Sequence, residues 1–170
     1  MDLRQEMLSE FREELSTTRR VLGRVPEDKL EWQPHPKSMP LCQLAMHLAM
    51  HLATLPSGIA EMSRAESYDI ATRSRGVPIP EDTSEVFTAF EQSVRDVEST
   101  FIETCEEDAN AHWRLMRGEH EILSWPRFKV WRTFLLNHWY HHREQLTVYL
   151  RMLDVQVPSV YGPSADERPF

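Results

Sequence analysis

Apolar residues recur every three or four positions through most of this chain, the pattern of helices that each bury one face. Leu3, Met7, Phe11, Leu15 and Leu22 set that rhythm. With Gly23 as a stop, they predict a first helix of about six turns at ~3.6 residues each. Val25-Pro-Glu-Asp then opens a connector, and the two prolines of Trp32-Gln-Pro-His-Pro-Lys exclude a helix interior. Ser38 is the expected N-cap of a second helix, with Pro40 in its first turn. The following LCQLAMHLAMHLATL is apolar nearly all round except at Gln43, His47, His51 and Thr54, so this helix must be buried on most sides. Pro56 and Gly58 mark a break, after which Ile59 to Ser67 reads as a further helical piece.

The segment TRSRGVPIPED, with Gly76 and two prolines, reads as a loop. Thr83 or Ser84 is the expected cap of a third helix, carried by Val86, Phe87, Phe90, Val94, Val97 and Phe101 to about Cys105. EEDANAH reads as a polar turn, and Trp113 to Leu123 as an irregular or hairpin-like insert around Gly118. Pro126 suits a first helical position and opens the last helix, through Val130, Phe134, Leu135, Leu146, Tyr149, Leu150 and Leu153. The fold expected is all-α: a four-helix bundle with short irregular connections, in one domain over residues 1–170.

Composition narrows the partners. The 170 residues suffice for a core without disulfides or a structural metal, and the formal net charge of −8 is spread along the chain. That charge argues against nucleic acid, whose phosphates attract cations. Cys42 and Cys105 are too few for a disulfide scaffold, and Met1 precedes charged residues rather than an apolar leader. No run approaches the ~20 apolar residues of a membrane span, so the chain reads as cytoplasmic with free thiols.

The chemistry lies in the histidines. In NHWYHHREQL, residues four apart on a helix differ by ~40° in direction, three apart by ~60°, and adjacent ones by ~100°. His138 and His142 are therefore the pair best aligned toward one point. A lone pair at this spacing is more often two helix histidines bonded to neighbours than a metal site. The second pair, His47 and His51, shifts that balance, because imidazoles on an apolar helix need partners to offset desolvation. A shared divalent metal would be one such partner.

These segments also resemble a known family. HPKSMPLCQLAMHLA resembles the start of helix two in the DinB superfamily. HWYHHREQLTVYLRMLDVQVPSVYGPSADE is similar to that superfamily's C-terminal pattern HxxxHRGQLxxYLR with its proline-containing tail. The resemblance spans nearly the whole chain and implies a DinB/YfiT-like bundle holding a divalent metal, commonly nickel or zinc, on three histidines. Matched by position, it places two ligands on His138 and His142. The third falls on His47 when Ser38 anchors the alignment, and on His51 when the pattern HxAxLP does; His47 is preferred. Where the family has glycine, this chain has Glu144, which reads as a solvated side chain or as a carboxylate orienting a histidine.

The same resemblance implies thiol S-transferase relatives that use bacillithiol or mycothiol, a maleylpyruvate isomerase among them. The function expected is thus a metal-dependent transferase or hydrolase that activates a thiol or water against a small electrophile, in a homodimer. The alternative is a stress-associated, damage-inducible metal-binding or interaction protein without turnover, and a structural bundle with incidental histidines is the plainest reading. Other candidates are weaker. Cys42 reads as a small buried hydrophobe, Gln145 and Tyr149 as cavity or bundle-core residues, and the five tryptophans as packing residues. His35, His112 and His120 fall in proposed loops with no partner by spacing.

Overall fold

The computed structural model describes residues 2–50, 65–72 and 78–168. Helix α1 spans Leu3–Leu22, where the Asp2 side chain accepts from the Arg4 amide and the Gly23 amide closes the other end on the Arg19 carbonyl. Met7, Phe11 and Leu22 are buried as expected, together with Thr18 and Val21, whereas Leu15 is half-buried and Leu3 is exposed. Helix α2, Leu41–Met50, begins later than the sequence predicts, and Ser38 is not its cap. The Leu41 and Cys42 amides donate to the carbonyls of Trp32 and Leu30 in the connector, at 2.8 and 2.9 Å. Those bonds satisfy orphan helix donors that a serine side chain would otherwise serve. His51, the break at Pro56 and Gly58, most of the piece from Ile59, and Gly76 lie outside the described residues.

Helix α3 spans Thr83–Glu103. Its cap is Asp82, not Thr83 or Ser84: the Asp82 carboxylate accepts the Glu85 amide at 3.0 Å while the Glu85 side chain accepts the Glu81 amide. Asp82 thus caps the helix one residue upstream of the expected start, and Glu85 ties the preceding residue back to the first turn. EEDANAH holds a short helix, α4 (Glu106–Asn110), rather than a bare turn. Its three acidic residues suit a helix N-terminus, and Ala109 packs into the core.

The chain is mostly helical, but it is not all-α. Strands β1 (Ser67–Asp69), β2 (His112–Arg117) and β3 (His120–Pro126) form a sheet in that order, β1 parallel and β3 antiparallel to β2. The hairpin around Gly118 is as the sequence suggests, with Gly118 at φ +59°, the left-handed conformation that favours glycine first in a two-residue loop. The unexpected strand is β1, whose Ser67 the sequence places at the end of a helical piece. Its short length gives no periodicity to read, and it is held from afar: the Asp69 carboxylate accepts the Gly118 amide at 3.0 Å.

The last helix is continuous but not uniform. Pro126 ends β3, α5 covers Arg127–Val130, a π-helical stretch covers Trp131–Asn137, and α6 runs His138–Met152. The widened turns stop where His138 begins, a placement typical of π segments beside functional groups. Helices α1 and α2 each pack against both α3 and α6, which makes the bundle. Phe11, Phe101, Trp131 and Trp139 form an aromatic chain through its core, with ring centroids 5.4 to 6.5 Å apart. Trp113, Trp131 and Trp139 are fully buried, and Trp32 and Trp125 partly so, as packing residues should be. Among the described residues, no helix is long and apolar enough to cross a membrane.

Candidate metal centre

Helix α2 is buried except along Gln43, His47 and Met50, which are half-buried. That spacing is one helical stripe, so His47 is carried to the side of α2 that is not sealed by core. Helix α6 packs against α2 and presents His138 and His142 one turn apart. The His47 ring stands edge-on to His142, with centroids 4.3 Å apart and planes at 87°. It lies 5.6 Å from the His138 ring, and His138 and His142 are 4.5 Å apart.

Among the described residues, these three histidines form a group that can hold a metal ion, one ring nitrogen from each lying within 4.8 Å of the others. Ligands at 2.0 to 2.1 Å from one ion lie at most about 4.2 Å apart, so small side-chain rotations suffice to close the set. The donor chemistry fits. The His142 Nδ1 lies 2.9 Å from the Gln145 Oε1, an accepting atom, and a proton on Nδ1 satisfies that contact and puts the ring's lone pair on Nε2. The His138 Nε2 sits 2.6 Å from the His142 Nε2. Two lone pairs cannot face each other this closely, so the gap takes either a proton from His138 or a shared cation.

The electrostatics agree with neutral ligands. Burial, and then the neighbouring His142 and His141, push the His138 pKa from 6.5 down to about 4. Burial also lowers His142, against a raising effect of its bond to Gln145. Imidazole must be deprotonated to bind a metal, and both groups meet that condition at neutral pH.

Other candidates stay outside the cluster. His141 is exposed, its ring 6.4 Å from that of His138. His35 accepts the Lys37 amide, and His112 pairs with Ser124 across the hairpin. Cys42 is buried, and burial followed by the Glu31 charge raises its thiol pKa, so it is a packed thiol and not a thiolate. Tyr149 packs edge-on against Trp32. Glu144 is half exposed, 3.7 Å from the Arg143 guanidinium, and the group that orients a histidine is the amide of Gln145 instead. Gln145 stands three residues from His142, a spacing that carries a signal the sequence analysis does not use.

Sequence reading missed the support behind the site. Arg143, next to His142, is wholly buried, donates to Glu14 at 2.6 Å and to Thr18 at 3.2 Å, and lies over Tyr140 and Tyr161. It ties α6 to α1 across 129 positions, a pairing with no local signature.

Comparison with known proteins places the fold. The chain is 25% identical over 156 residues to the uncharacterised protein YrdA of Bacillus subtilis (strain 168), covering 91% of this chain and 85% of that one. A DinB-like protein from Bacillus cereus ATCC 10987 shares the fold with a TM-score of 0.68 at 19% identity, over 91% of this chain and 95% of its own. The DinB-like protein YjoA of Bacillus subtilis aligns with a TM-score of 0.63 at 14% identity, over 96% and 99%. The sequence model of the DinB family matches residues 1–168, and on that match, over the same bundle, the chain belongs to the DinB family.

Proposed function

We propose that this chain is a metal-dependent enzyme in which His47, His138 and His142 hold a divalent ion, nickel or zinc, for thiol transfer or hydrolysis on a small electrophile. The observation that carries the reading is the convergence of three imidazoles from two helices with no carboxylate in the group. Three neutral ligands leave a bound ion its full charge and open positions, and so supply Lewis acidity and an easier deprotonation of thiol or water. The chain's own residues do the rest. His142 is fixed in direction by Gln145, His138 is kept neutral by burial, and Arg143 holds the phase of α6 against α1.

The test is a turnover screen with several low-molecular-weight thiols, and with water alone, against a panel of electrophiles. Activity should require added metal and fall by at least about 100-fold when His138 or His142 becomes alanine, since removing a ligand removes the electrostatic stabilisation of the reaction. Stoichiometric metal with no metal-dependent turnover across the panel would instead favour a non-catalytic metal-binding protein.

A further inference from the structure

We infer that Gln145 is a positioning residue for this site: its amide oxygen holds the proton of His142 on Nδ1 and so turns a bare Nε2 toward His47 and His138. The inference rests on the metal reading for its purpose, but the contact that carries it does not depend on any ion. His142 Nδ1 and Gln145 Oε1 are 2.9 Å apart, both on α6 and one turn from each other. A free imidazole prefers no such arrangement strongly, and the choice of tautomer is set by the hydrogen bond that the other nitrogen makes. His142 is buried, so water cannot easily substitute for that acceptor.

The identity of the acceptor matters as much as its position. Histidine ligands commonly donate their second N–H to a carboxylate, which adds basicity to the ring. An uncharged amide orients the ring without adding negative charge. Glu144, the nearest carboxylate in sequence, is half exposed and leans toward Arg143. The site thus has an orienting group that leaves the cation's charge undiminished, the condition that favours activating a bound thiol or water over holding the ion tightly.

Two measurements on the full chain test this, and they fail separately. Long-range proton–nitrogen correlation spectra of the metal-free protein at neutral pH should show His142 protonated on Nδ1 in the wild type and in Gln145→Glu, and lose that tautomer in Gln145→Leu. Titration with cobalt(II) should then show binding about 10- to 100-fold weaker in Gln145→Leu, and as tight or tighter in Gln145→Glu. Circular dichroism confirms that each variant is folded, and the wild-type spectrum alone decides the tautomer if the leucine variant is not. A wild-type His142 protonated on Nε2, or a folded leucine variant that binds cobalt as tightly as the wild type, overturns the inference. A wild type that takes up no cobalt contradicts the metal reading, while the tautomer spectrum still decides the role of Gln145.

Discussion

His138 shows how one residue can be legible in type and spacing yet not in charge state. Its place one turn from His142 follows from helical angle alone, but the fall of its pKa to about 4 comes from burial against α2, which only the fold reveals. The consequence is a stability that depends on pH. The unfolded chain takes up a proton at His138 near 6.5 and the folded chain only near 4, so acidification through that window favours the unfolded state. Urea unfolding of the metal-free protein should show full stability above pH 6.5 and a decline toward pH 4, with a shallower decline in His138→Gln. Equal declines in both would remove the burial argument. Asp154 is a second case. It sits at φ 57°, just past α6, where the Val155 amide reaches back to the Leu150 carbonyl. A non-glycine residue in this conformation costs roughly 1 kcal/mol, so Asp154→Gly should raise the melting temperature by about 2 to 4 °C in calorimetry.

At the scale of elements, α6 is positioned by a buried charge. Arg143 has no exposure, whereas the Glu14 side chain retains 17% and can reach water if its partner is removed. The two ends of the pair should therefore respond differently to truncation. Glu14→Ala leaves the buried guanidinium only Thr18 and the more distant Glu144, and should cost about 3 kcal/mol in denaturant unfolding. Arg143→Met should cost clearly less, because it leaves an apolar core and a carboxylate near solvent. The reverse order would mean that the pair does not anchor α6 against α1. Helix boundaries were less legible than helix existence for a related reason. Met7 and Phe11 announce α1 by their own spacing, but α2 starts where the carbonyls of Leu30 and Trp32 meet its amides, a tertiary fact that Ser38 and Pro40 do not contain. The π-helical stretch before His138 was also silent, since Phe134, Leu135 and Leu136 fit an α-helical pattern as well as a widened one.

For the whole molecule, strong periodicity made the bundle readable and short range hid the sheet. Four segments bury apolar faces at helical spacing, and α1, α2, α3 and α6 are those segments. The β2–β3 hairpin was visible through Gly118, while β1 depends on parallel pairing with residues more than 40 positions away and shows nothing of itself. The site divides the same way. The His138 and His142 pair is local and was read from angle, the choice of His47 needed a family pattern, and the convergence of all three appears only when α2 lies against α6. The most direct measurement is therefore metal analysis of protein purified without a nickel column, loaded with nickel or zinc and freed of excess ion. One ion per chain is expected in the wild type, and none in the His47, His138 and His142 triple alanine variant that remains folded. A full complement of metal in that variant, or none in the wild type, would contradict the three-histidine centre.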